Sequence, residues 1–269
     1  MLKPLIFGLF LMIGLGAGQA DARDFDHAPW DNLLKAYVAS PDGVGQATRV
    51  DYAGIAQHLP SLDQYLNQLS SVSQADFDRW TRPDQLAFLI NAYNAWTVKL
   101  VLTGYPDIAS IKDLGSWVQS PWKKPFIPLF GSMRTLDGIE HGLILGSGRY
   151  NDPRVHFALN CASIGCPALR SEAYQGKILD TQLESQTKLF IADRTRNRLE
   201  GGVLKVSSIF KWYHEDFESG WSGIHKLADF IVRYSAAMGL TEGQVRRIQR
   251  GETPVDYLDY DWHLNVKGR

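Results

Sequence analysis

Asp152-Pro153-Arg154-Val155-His156-Phe157-Ala158-Leu159-Asn160-Cys161-Ala162-Ser163-Ile164-Gly165-Cys166-Pro167 is the stretch on which the reading of this chain turns. It holds both cysteines of the protein and one of its seven histidines. Residues 155–161 are apolar except for His156 and Asn160, and the spacing predicts a buried strand with a small sheet around it, followed by a turn-rich segment to Pro167. On a straight strand the five residues from His156 to Cys161 span about 16 Å, and their odd separation puts the two side chains on opposite faces. His156 then shares a face with Ala158 and Asn160, and Cys161 shares one with Phe157 and Leu159. A base for Cys161 is therefore expected elsewhere, at His141 or a distant residue, and Ser163 or Asn160 is the natural neighbour of His156.

Upstream of this stretch, residues 83–102 read as a helix that is apolar nearly all round, which marks a buried central helix. Thr81 stands near its cap, Pro83 occupies a first-turn position, and Gly104-Tyr105-Pro106 stops it. Asn91 and Asn94 interrupt its apolar surface three residues apart, hence on one face, and two buried amides need partners. That polar notch either orders a neighbouring loop or faces a site. Shorter helices are expected around residues 31–38, ended by Ser40-Pro41-Asp42-Gly43, and around 62–69. Between the central helix and the cysteine stretch, residues 105–130 read as an irregular segment packed by Trp117, Trp122 and Phe126, with Trp122 a candidate for the lip of a binding groove. Asp137-Gly138-Ile139-Glu140 has the spacing of a capping box opening a helix to Leu145. Glu140 is then either the reciprocal cap or a functional acid, and His141 beside it has no comparable structural reason to be there.

Downstream, helices are expected from Leu179, Leu183, Leu189 and Phe190, after Ser207, over 224–234 and over 241–249, with a short strand at 203–206. The closing segment 255–265 alternates aromatics with acids and is expected to dock as a final strand. Helices outnumber strands without regular alternation, so the fold class is α+β, predominantly helical.

The first twenty-two residues carry Lys3, an apolar run of about 12 residues and Ala20-Asp21-Ala22, the pattern of a secretory signal peptide and shorter than the roughly 20 residues of a bilayer span. Export to a periplasmic or extracellular space is expected, leaving residues 23–269 as one domain with no membrane contact after cleavage. In an oxidising compartment Cys161 and Cys166 are expected as a disulfide, closing a loop of about 6 residues for roughly 2 kcal/mol. A chain of 269 residues with 45% hydrophobic and 21% charged residues and a formal net charge of −1 has no basic excess for nucleic acid. The expected partner is a small molecule or a protein.

Five ordered motifs carry a resemblance: 88–95 (Phe-Leu-Ile-Asn-Ala-Tyr-Asn-Ala), 136–141 (Leu-Asp-Gly-Ile-Glu-His), 152–163, Gly165-Cys166-Pro167, and Ile209-Phe210-Lys211-Trp212-Tyr213. Together they resemble the domain of unknown function 547 family over about 82–217, with a further likeness at 258–265. The resemblance implies exported bacterial and plant multidomain relatives but no reaction. A buried helix followed by a His-bearing strand is also similar to the core of papain-like and transglutaminase-like proteins, which start that helix with a nucleophilic cysteine. Here the helix has Asn91 and no cysteine, so Cys161 would have to act from elsewhere.

Two functions follow. The first is a ligand- or protein-binding or structural module with a Cys161–Cys166 disulfide, in which Asn91, Asn94, Asn160, Ser163 and Trp122 contribute binding or bracing groups. The second is a thiol-dependent hydrolase or acyltransferase drawing on Cys161, His156, His141 and Glu140. No H-E-x-x-H, paired C-x-x-C, phosphate loop or G-x-S-x-G elbow is present, so no metal or cofactor is expected.

Overall fold

The central helix, Arg82–Leu102, is buried along nearly its whole length and organises the larger of the two hydrophobic clusters among the described residues. Its start follows the local chemistry: the Thr81 hydroxyl accepts the backbone N–H of Asp84, and Pro83 fits the first turn, where its missing N–H costs nothing. The computed structural model describes residues 25–39 and 47–268. The signal-like segment and the turn at Ser40-Pro41-Asp42-Gly43 lie outside the described residues.

Helices Ala28–Tyr37 and Leu59–Ser71 pack together, and the second lies on the central helix, burying Leu62, Tyr65, Leu66 and Leu69 at the three- and four-residue spacing of one helical face. Helix Leu179–Ala192 and the shorter Leu227–Arg233 and Glu242–Gln249 surround the second cluster, whose centre is a ring of phenylalanines: Phe157, Phe190, Phe210, Phe217 and Phe230. Among the described residues three small sheets complete an α+β, predominantly helical fold. Val38–Ala39 pairs with Arg49–Val50, and Ile127–Leu129 with Ser132–Arg134, both antiparallel. In the third, Arg198–Glu200 runs antiparallel to Val203–Ser207, and Val255–Leu258 adds parallel to the latter, with Leu204 opposite Val255. The closing segment thus docks as a strand over its first four residues.

Three local expectations are corrected. The strand at 155–161 is absent: Pro153–Phe157 is a turn of 3-10 helix, and no sheet forms around it. Asp152 caps this turn by accepting the Arg154 N–H at 3.0 Å, and Pro153 supplies the preset φ of a first helical residue. A continuous buried run has no polar face from which its period can be read, so strand and buried turn look alike in sequence.

The helix after Ser132–Arg134 starts two residues earlier than the capping-box spacing predicts. Thr135, not Asp137, accepts the Gly138 N–H, at 2.8 Å, and Asp137 already has helical backbone angles. The backbone then widens into a π-helical stretch, Gly138–Ile144. Finally, Trp117 does not pack: it stands fully exposed beside Val118, whereas Phe126 meets Trp96 edge-on.

Candidate functional site

The 3-10 turn at Pro153–Phe157 does what a strand would not: it brings His156 and Cys161 to the same cleft, so their assignment to opposite faces falls with the strand. The cleft has a volume of about 240 Å³ and gathers Glu140, His141, His156, Cys161 and Trp122 from the expected candidates. Another cavity, about 310 Å³ beside Phe25, His27 and Gln175, collects none of them.

Glu140 is 9% exposed and is not a helix cap. Its Oε1 accepts the Tyr213 hydroxyl at 2.9 Å, and the Tyr93 phenol lies near the same side chain. Burial, and then the Glu140 charge, push both phenols well above the ordinary tyrosine value, so both keep their protons. Among the described residues no cation forms an ion pair with Glu140. The widened helical turn presents Glu140 inward while the neighbouring His141 is about half exposed, 3.8 Å from Asp137.

His156 is buried. Its Nε2 lies 2.8 Å from Asp216 Oδ2, and its ring centroid is 4.0 Å from that of Tyr213. The hydrogen bond from His156 lowers the Asp216 carboxyl below its ordinary value, against the opposing effect of partial burial. The pairing with a carboxylate fixes the ring's orientation, because one nitrogen is committed to it.

Cys161 and Cys166 form a disulfide with a Cα–Cα separation of 6.0 Å, and both line the cleft. The thiol-dependent hydrolase reading gains no support, since both sulfurs are bonded to each other and neither is a thiol. The Tyr260 hydroxyl lies 3.1 Å from Cys161 Sγ, and the Ser163 hydroxyl is within reach of both, at 3.2 Å from Sγ and 3.3 Å from the phenol oxygen. Burial raises the Tyr260 phenol, keeping its proton in place. Gly165 is required by this approach: a Cβ there would stand 2.9 Å from both the Tyr260 ring and the Asp261 carbonyl.

The asparagines hold the framework rather than lining the cleft. Asn91 exchanges two hydrogen bonds with the Tyr174 backbone, donating to its carbonyl at 2.8 Å and accepting its N–H at 2.9 Å. Asn94 does the same across two residues, donating to the Ala158 carbonyl and accepting the Asn160 N–H. Asn160 in turn donates to the Pro167 carbonyl and accepts the Ala162 N–H, holding Ala162 at a φ of 62°, a left-handed conformation costly for a residue with a Cβ. The polar notch of the central helix therefore orders a loop, and that loop carries the disulfide.

The rim is aromatic. Trp122 stands edge-on to Trp262, which stacks on Trp212, and both Trp212 and Trp262 touch Tyr260. The Lys112 ammonium sits 3.6 Å from the centre of the Trp262 ring, so the rim already takes one cation from its own chain. Tyr93, Tyr213, Tyr260, Trp212, Trp262 and Asp216 were not singled out from the sequence as site residues. Trp212 and Tyr213 belong to the motif 209–213, which carries the resemblance, and Tyr260 and Trp262 to the aromatic-acidic tail expected as a docking strand. Among the described residues no group of three or more His, Cys, Asp or Glu side chains can hold a metal ion, and no helix is long and apolar enough to cross a membrane.

No curated protein and no solved structure matches the chain. Residues 77–191 match the family described as Protein of unknown function, DUF547. That span holds Glu140, His156 and the disulfide, whereas Tyr213 and Tyr260 come from beyond it. The chain carries a domain of the DUF547 family.

Proposed function

We propose that the chain is an exported binding module whose aromatic cleft takes the positively charged head of a small molecule. The carrying observation is Glu140: a buried carboxylate that accepts the Tyr213 hydroxyl, without an ion-pair partner among the described residues, in a cleft rimmed by indole rings. A buried charge gains most from an opposite charge, and an ammonium or guanidinium gains further from aromatic faces, about 0.5 to 2 kcal/mol for each well-placed ring. A cleft of about 240 Å³ suits a head group rather than a large ligand. The leader-like first 22 residues and the disulfide both favour an oxidising compartment outside the cytoplasm.

Calorimetric titration with choline, set against its uncharged isostere 3,3-dimethyl-1-butanol, tests this. Choline is expected to bind and the alcohol not to, with binding lost in Glu140→Gln. Equal binding of both compounds, binding of neither, or full retention in Glu140→Gln overturns the reading.

A further inference from the structure

We infer that the Cys161–Cys166 disulfide is an exchange-active pair of the cleft that reacts with small-molecule thiols, and not only a staple. Three observations carry this.

The first is access. Both cysteines line the cleft, and Cys161 is only partly buried whereas Cys166 is 3% exposed, so an incoming thiolate meets Cys161.

The second is that hydrogen bonds brace the loop in addition to the bond. Buried Arg196 donates to the carbonyls of Ile164, at 2.7 Å, and Cys166. Asn160 spans the loop from the Ala162 N–H to the Pro167 carbonyl. The Ile164 N–H donates to the His263 carbonyl and the Gly165 N–H to that of Asp261, at 2.8 and 2.7 Å. A disulfide closing so short a loop removes little chain entropy, so its retention inside an already braced loop calls for another use.

The third is that each sulfur faces a donor. The Cys161 N–H points at Cys166 Sγ at 2.7 Å, and the Tyr260 and Ser163 hydroxyls stand at 3.1 and 3.2 Å from Cys161 Sγ. Donors to sulfur stabilise the thiolate that exchange must release.

The chemistry balances as two displacements. A thiolate RS⁻ attacks Cys161 Sγ, the Sγ–Sγ bond breaks, and the electron pair leaves on Cys166 Sγ, which takes up a proton. A second RS⁻ attacks the outer sulfur of the mixed disulfide, releasing RSSR and the Cys161 thiolate beside Tyr260. In sum, two RSH and the protein disulfide give RSSR and the protein dithiol, with two electrons and two protons transferred. The reverse reaction, with a small-molecule disulfide as oxidant, restores the pair.

The inference does not need the cationic reading of Glu140, and a neutral probe keeps the two apart. Folded protein is equilibrated in buffers of 2-mercaptoethanol and its disulfide, cysteines are counted by alkylation and mass spectrometry, and circular dichroism follows the fold. Both cysteines are expected to become alkylatable together while the fold is retained, with thiolate absorbance at neutral pH. Tyr260→Phe is expected to slow alkylation of reduced Cys161 at neutral pH roughly tenfold, the loss of one hydrogen bond to a charged group. Ser163→Ala should act in the same direction if Tyr260→Phe does not fold. Reduction that occurs only with unfolding overturns the inference, as does a reduced Cys161 with an ordinary cysteine pH profile of alkylation.

Discussion

The Tyr213 hydroxyl donates to Glu140 at 2.9 Å while the same ring lies against His156, 4.0 Å between centroids, so one tyrosine joins a buried acid and a buried base of the cleft. Removing that hydroxyl leaves Glu140 with one fewer donor in a buried place. Tyr213→Phe is expected to cost about 1.5 to 3 kcal/mol, the range for hydrogen bonds to charged groups. Urea denaturation with an unchanged slope would measure it, and a loss under about 0.5 kcal/mol would mean that water replaces the phenol.

The His156–Asp216 pair sets a dependence on acid. The hydrogen bond from His156 lowers the folded carboxyl, so its stabilisation is fully present above the ordinary aspartate value of about 3.9 and is lost as pH falls through the lowered one. Asp216 is about two-fifths exposed and solvent screens it, so Asp216→Asn should cost only about 1 kcal/mol at neutral pH. The melting temperatures of the two proteins are expected to converge as the pH falls below the ordinary aspartate value.

His27 acts in a higher window. Burial holds its imidazole at about 4, against the opposing charge of Asp26, and it hydrogen-bonds the Tyr65 hydroxyl at 2.7 Å. The folded state keeps this ring neutral where the unfolded chain protonates it. Stability is therefore highest above the ordinary histidine value of about 6.5 and falls continuously from there to about pH 4, by on the order of 2 to 3 kcal/mol. His27→Gln should flatten that slope, and parallel slopes for the two proteins between pH 6.5 and 4 would refute the assignment.

Arg196 is buried against Asp193 at 3.2 Å while bonding two carbonyls of the disulfide loop, and burial lowers its ordinary value. Arg196→Met strands a buried carboxylate and two acceptors. A loss of about 3 to 5 kcal/mol is expected, read by thermal denaturation, with the loop around Cys166 becoming protease-sensitive before the rest.

Replacing both cysteines by serine should be mild. The loop is held by Arg196, Asn160 and the closing segment, so only the chain-entropy contribution of about 2 kcal/mol is lost. A double variant that fails to fold would show that the bond, not the bracing, defines the loop.

Local chemistry made much of the scaffold legible. The central helix announces itself by an apolar surface all round, Thr81 and Pro83, and Asn91 and Asn94 stood out because buried amides demand partners. The disulfide could be expected because the signal-like leader implies an oxidising compartment and the two cysteines stand five residues apart. The strand at 155–161 misled because uniform burial erases periodicity, and the informative signal is Asp152-Pro153, cap and first residue of the 3-10 turn. Glu140 sits at the spacing of a reciprocal cap, yet Thr135 takes the cap and frees the carboxylate for the cleft.

The sequence by itself determined the α+β class, the buried helix, the paired cysteines and the residues worth watching, because these follow from spacing and from the chemistry of neighbours along the chain. Only the tertiary structure decided what faces what. Tyr213 reaches Glu140 from seventy-three residues away, and Tyr260 reaches Cys161 from ninety-nine. Contacts of that separation arise when distant segments bury their apolar faces together, and no local pattern encodes which phenol will then stand beside which acid or sulfur.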